Sequence, residues 1–447
     1  MRTVLILLAA LAGAAPALAD APAPAADCRY DVLLRADLRL SARVRCPPRV
    51  DGFAAVNGAA GRYLSLTLER RADATVGRYD IDLAAFARGE NSINSAAGNG
   101  RSVIAPGASW LLRPQGLDDA ELAVTVRREA GVGFATGLAR RGDSYRLRSR
   151  DLPYAGFSVF GAFDHRTLDV RRTDGAAGTV DLAVMDGDLA VPRPARDAWI
   201  DDSLRAGLDF WRGLPADHLL LAILPRPGRR GVPFGRVMSG GGPTMVVFVG
   251  ALADAAALAD DWVFIHELIH VGTPFARGGM WFMEGQATYF EPLIRVRWRR
   301  QTEAQMWHEF VTNMPRSARL IEATGLASSG FRGMYYGGAI LMLLADVEVR
   351  RASRGQRGLE DCFRGLQRVD GNAARRTTLA ALVAACDREL GAPVMKAVVD
   401  RYGYAANPVD LDGLWQQLGV VRDGDAVTLD DGAPWAWVRR ALVKGGA

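Results

Sequence analysis

The chain has 447 residues, 49% hydrophobic and 23% charged, with a net charge of +5. That length exceeds one ordinary core, so two or three domains are expected, and the composition is that of a soluble globular protein. A basic balance can signal nucleic-acid binding, but of 55 basic residues only Lys396 and Lys444 are lysines. The 53 arginines are better explained by a GC-rich coding sequence than by phosphate contacts, so no nucleic-acid partner is expected.

Residues 1–19 read as a secretory signal: Arg2, an apolar run from Val4, then Ala17-Leu18-Ala19 before Asp20. Cleavage after Ala19 would give an exported protein, periplasmic or extracellular. No cysteine sits at the junction to take a lipid, and no later apolar run is long enough to span a membrane. Residues 20–27 form an Ala-Pro spacer. Over 28–192 the pattern changes to short runs with period-two alternation, as at 63–68, 122–126 and 179–184, which predicts a β-rich domain. His165 lies here with no sequence neighbour suggesting chemistry and is read as structural.

Pro192-Arg193-Pro194 marks a hinge, after which 198–212 reads as a helix and 219–224 and 244–249 as apolar strands. Between those strands Gly240, Gly241 and Gly242 would let another backbone approach closely. A helix then opens behind Asp260 or Asp261 as N-cap and closes at Gly272. It carries His266, Glu267 and His270. Positions i and i+4 share a helix face, so both imidazoles can reach one metal ion, with Glu267 placed to take a proton from water. The next segment, 279–291, supplies Glu284 fourteen residues after His270. Two histidines and one glutamate are a known catalytic zinc set. Glu291 is the rival third ligand, Thr288 a candidate partner for Glu284, and Gly285 is expected where the two helices approach most closely. Arg295, Arg297, Arg299 and Arg300 around Trp298 read as a solvated helix face. From 304 to the end helical periodicity dominates.

In an exported protein the four cysteines become legible. Cys28 with Cys46 and Cys362 with Cys386 is the simplest of three connectivities.

The pairing of the 266–270 motif with Trp281-Phe282-Met283-Glu284-Gly285-Gln286 resembles the gluzincin metallopeptidases, the superfamily of thermolysin and aminopeptidase N. Within it the chain is most similar to the glycyl aminopeptidases. Its 334–341 segment looks like their Tyr-x-Lys-Gly helix, and 400–404 and 414–419 resemble their closing segment, although no room remains for the PDZ module that often ends them. The resemblance implies a multidomain α+β protein: a β-rich N-terminal domain, a thermolysin-like zinc catalytic domain over 195–303 and an all-helical domain over 304–447. It implies one zinc ion per chain on His266, His270 and Glu284, with Glu267 as general base. Tyr335 would stabilise the oxyanion; Tyr336 is its rival, because Gly337 stands where the family has lysine. A substrate would add to a strand edge near Gly240, Gly241 and Gly242.

The expected activity is zinc-dependent hydrolysis of peptides or proteins outside the cytoplasm. One departure bears on where the cut falls. Aminopeptidases hold the free amine with a glutamate ahead of the zinc helix, yet from Val232 to Gly250 there is no Asp or Glu. The alternatives are an aminopeptidase anchored from another domain, or a secreted zinc-binding protein without turnover.

Overall fold

A computed structural model describes residues 26–445, so the signal and most of the spacer lie outside the described residues. The fold is mixed α and β, with a β-rich N-terminal region and a helical C-terminal region. Three sheets stack in layers. The first has seven strands, with Cys28–Leu34 between Glu121–Arg128 and Arg39–Cys46 near its middle. The second has four, with Phe157–Gly161 and Ser102–Pro106 at its centre. The third has five, in the order Phe163–Arg171, Ala177–Met185, His218–Arg226, Thr244–Gly250, Phe234–Met238.

Strand periodicity explains the stacking. In Ser102–Pro106, Val103 and Ala105 join the core beneath the seven-stranded sheet, whereas Ile104 packs with Leu220, Ala222 and Val246 of the five-stranded sheet. On the far face of that third sheet, Leu219, Leu221 and Ile223 meet Ile200, Phe264 and Leu268 of two helices. His218–Arg226 is therefore apolar on both faces, as a central parallel strand should be.

Two expectations about organisation change. Residues 163–185, grouped by alternation with the N-terminal domain, pair into the five-stranded sheet instead, because Ala177–Met185 runs parallel to His218–Arg226. The C-terminal region is not purely helical: Val420–Asp423 pairs with Ala426–Leu429, and Arg376–Thr378 pairs with Phe275–Arg277. Its helices share one continuous core with Met280–Arg297, so no core boundary falls at 303.

The disulfides join Cys28 to Cys46, across adjacent antiparallel strands, and Cys362 to Cys386, between two helices. The arginine cluster is not a solvated face. Arg295 bonds Glu291 and Glu309, Arg297 bonds Glu360 and the carbonyls of Leu442 and Val443, and Arg300 bonds Ser203. Only Arg299 of the four is exposed. His165 bonds Asp181, which His218 and Thr167 also hold. Among the described residues no helix is long and apolar enough to cross a membrane.

Candidate metal centre and cleft

The helix Val263–Val271 is fixed at both ends before its chemistry begins. Asp261, one residue before the N-cap Trp262, ties down the first turn: its carboxylate accepts from the amides of Val263 at 2.8 Å and Phe264 at 3.2 Å. Burial nonetheless pushes that carboxyl up to about 6. At the other end a β-carbon on Gly272 would lie 2.4 Å from the Trp211 ring, whose Nε1 donates to the Leu268 carbonyl at 3.1 Å. Only glycine lets this turn close on the tryptophan.

One face of the helix presents His266 and His270, both buried, with Nε2 atoms 3.2 Å apart. Glu284, in the first turns of Met280–Arg297, brings Oε2 to 3.2 Å from one and 3.5 Å from the other. Ligands about 2.0–2.2 Å from a shared tetrahedral centre stand roughly 3.3–3.6 Å from each other, so this N₂O set fits a zinc ion. Two imidazole nitrogens and a carboxylate form the only such group among the described residues. Burial works against ionisation of Glu284, but the imidazoles outweigh it and hold its carboxyl far below the usual range. Burial lowers the pKa of His266; at His270 it is outweighed by Glu284 and the pKa is raised. Neither Nδ1 has a protein partner, so packing rather than an acceptor sets the ring orientations.

Glu267, the next residue along, turns to the five-stranded sheet. Its neighbour is the edge strand Phe234–Met238, where a β-carbon on Gly235 would sit 2.4 Å from its Cγ. Burial raises the Glu267 carboxyl to about 7, within reach of proton exchange near neutrality. Edge strand, metal ligands and Glu267 together line a cleft of about 350 Å³.

Tyr335 enters the cleft from the helix Gly330–Ala352, its ring centroid 6.2 Å from that of His266. Burial, with the charges of Glu284 and Glu267, pushes its hydroxyl up to about 12, so it is a hydrogen-bond donor at neutral pH. Tyr336 points elsewhere and donates to Glu309 at 3.1 Å. What aims Tyr335 is a glycine pair: a β-carbon on Gly285 would meet the Gly338 backbone at 2.3 Å. Gly285 thus serves contact with the tyrosine helix, not with the histidine helix as expected. Tyr289 donating to Asp346 at 2.8 Å, beside the buried Arg350–Glu360 pair, clamps the same two helices.

Other expected site residues fall outside. Glu291 is buried against Arg295 and is absent from the metal group. Thr288 Oγ1 is buried without a partner and does not bond Glu284. Gly240, Gly241 and Gly242 do not line the cleft. β-Carbons there would strike the Asp151 carbonyl at 2.5 Å, Leu138 at 2.8 Å and the Gly137 carbonyl at 1.9 Å, so these glycines seat the N-terminal region against the turn. The open edge is the strand before them. Sequence reasoning missed Gly235 and Arg236; a lone glycine in a short apolar run was the one available signal. A second cavity of about 560 Å³ shares Trp262, His266 and Tyr335 with the first, so the two adjoin at these residues.

No protein-family model matches the chain, and no curated protein matches it in sequence. Its backbone is similar to an aminopeptidase N family protein from Idiomarina loihiensis, with a TM-score of 0.63 at 13% identity over 88% of this chain and 78% of that one. It is similar too to an M1 zinc metallopeptidase from Deinococcus radiodurans, with a TM-score of 0.51 at 14% identity over 86% and 94%. A mutant of an M1 zinc metallopeptidase from the same organism, bound to a Tyr-ser-ala substrate, matches with a TM-score of 0.50 at 14% identity over 85% and 94%. At these identities the likeness establishes a shared fold.

Proposed function

We propose that the chain is a zinc metallopeptidase of the gluzincin type that hydrolyses peptide bonds outside the cytoplasm. The observation that carries this reading is the convergence of His266, His270 and Glu284 beside Glu267 in a cleft bordered by a strand edge. The shared fold with M1 metallopeptidases supports it, and the two disulfides are compatible with an oxidising compartment. In this reading the thermolysin-like catalytic part takes in the five-stranded sheet with the helices Val263–Val271 and Met280–Arg297, the strands before Phe163 form the β-rich platform, and the helices after residue 303 continue the catalytic core.

His266, His270 and Glu284 would hold one zinc ion, which supplies Lewis-acid chemistry towards a carbonyl and acidifies water. Glu267 accepts the proton as water attacks the scissile carbonyl, then returns it to the leaving amine. Its burial against Gly235 keeps it dry and fixes its reach. Tyr335 donates a hydrogen bond to the developing oxyanion, a contribution typically worth about 3 kcal/mol. Phe234–Met238 is the edge of its sheet, with no second strand beside it, and an extended peptide can lie along it.

The test is incubation of the zinc-loaded protein with a mixed peptide library, cleavage positions being read by mass spectrometry. Defined cuts are expected. Failure to cleave any peptide would overturn the reading in favour of a zinc-binding protein without turnover.

A further inference from the structure

Three charged side chains other than histidine line the cleft: Glu267, Glu284 and Arg236. Both carboxylates have work already, one in proton transfer and one in the metal group. No acidic residue of the N-terminal region lines the cleft, so nothing there remains to neutralise a substrate ammonium. Arg236 is the cleft's single arginine or lysine.

Arg236 sits in the middle of the edge strand, opposite Val246 of the neighbouring strand. Its Nη1 donates to the Asn94 side-chain oxygen, reaching across from the N-terminal region. The Asn94 carbonyl in turn accepts from Asn57 at 3.1 Å, so the orienting residue is itself held. Arg236 forms no ion pair among the described residues, although it is half-buried. A desolvated guanidinium with one neutral acceptor has donors to spare, and their planar fork matches a carboxylate. Arg236 lines the same cleft as Glu267 and lies within its electrostatic reach, yet is absent from the metal group, so a carboxylate held by it would leave the metal ligands free.

We propose that Arg236 determines specificity by binding a carboxylate of the peptide substrate, on a side chain or at a chain terminus near the scissile bond. This rests on the peptidase reading above and names its substrate class: peptides with a carboxylate near the scissile bond. It also gives a reason for a strand edge that carries a cation where an amine-binding site would need an anion.

The experiment uses zinc-loaded protein carrying Glu267→Gln to stop turnover, with binding measured by calorimetry. Peptide pairs differ only as Glu against Gln at successive positions, or as a free carboxyl terminus against its amide, which separates the two sources of the carboxylate. The acidic member should bind about tenfold to a hundredfold tighter in one pair type, as charge-assisted hydrogen bonds do. Adding Arg236→Gln should bring that ratio to within about twofold by weakening the acidic member. An unchanged ratio, or no preference for any acidic member, overturns the proposal. Should Arg236→Gln fail to fold, Arg236→Lys carries the test, since losing the fork must lower the ratio; an unchanged ratio again overturns it. Cleavage of the same pairs by protein with Glu267 intact is scored separately. Acid-selective binding without cleavage would remove the peptidase reading and leave the role of Arg236 in place.

Discussion

Gly235 and Glu267 occupy adjoining space: a β-carbon on the glycine would come 2.4 Å from the glutamate Cγ and 2.8 Å from Val263. The edge strand and the proposed general base therefore meet at this contact, which exists because the strand residue has no side chain. Gly235→Ala should push either Glu267 or the strand out of place. We expect kcat/KM to fall by about 100-fold, with zinc content unchanged and stability reduced by roughly 1–3 kcal/mol. Glu267→Gln sets the floor for comparison, as it removes the proposed base outright. Turnover of Gly235→Ala within twofold of the parent would show that the contact positions nothing.

The metal group predicts one zinc per chain. His270→Ala and Glu284→Ala each remove a ligand from a set of three, and outer partners do not compensate because neither imidazole Nδ1 has one. Metal analysis after dialysis should find zinc near one equivalent in the parent and well below it in both variants. Full occupancy in Glu284→Ala would transfer the third ligand to another residue.

For the two tyrosines the geometry separates the roles. Tyr335→Phe should lower kcat by about 100-fold or more with little change in KM, as for a group that acts in the transition state. Tyr336→Phe breaks the bond to Glu309 beside Arg295, so its cost should appear as about 1 kcal/mol of stability instead. Steady-state kinetics and thermal melting of both variants distinguish them. A kcat loss confined to Tyr336→Phe would exchange the assignments.

Much of this site is legible in the chain because its ligands follow local rules. His266 and His270 share a helix face by spacing alone, and Asp261 and Gly272 close that helix as capping chemistry requires. What could not be read depends on which surface meets which. Gly285 looked like the contact between the two ligand helices, yet its partner is Gly338, more than fifty residues on. Gly240, Gly241 and Gly242 have the composition of a substrate-facing turn, but the N-terminal region fills the space above them. Strands at 163–185 alternate like those before them, and only pairing with His218–Arg226 reveals which sheet they complete. Local pattern gives an element's faces; the identity of the partner is a tertiary property.

Asp261 yields a pH prediction. Its carboxyl titrates at about 6 in the fold because burial penalises the charge, against an ordinary value of 3.8. A raised folded pKa means stability present below about pH 4 and lost as pH rises through 6. Asp261→Asn keeps a capping oxygen but cannot ionise. Whatever its fixed cost, the stability gap between variant and parent should move in the variant's favour by on the order of 3 kcal/mol between pH 4 and pH 8. Denaturant unfolding at those two values measures this. A gap that does not move would mean the carboxylate is fully compensated by the amides of Val263 and Phe264.

The last prediction concerns the substrate's amino terminus. A buried ammonium must be neutralised, and an uncompensated one costs several kcal/mol. In the proposed mechanism the cleft's two carboxylates are committed, its remaining formal charge is Arg236, and it adjoins a second cavity at Trp262, His266 and Tyr335. In the proposed reading such a site accommodates chain beyond the amino terminus, and its lining offers no uncommitted anion to a free amine. Acetylating the amino terminus removes a positive charge that Arg236 repels, so kcat/KM for acetylated peptides should equal or exceed that for the same peptides with free amines. Paired substrates differing only in that acetyl group, assayed at low and high salt, measure it directly. A loss of tenfold or more on acetylation would mean that an amine is recognised, and that an acidic residue outside the cleft lining reaches it.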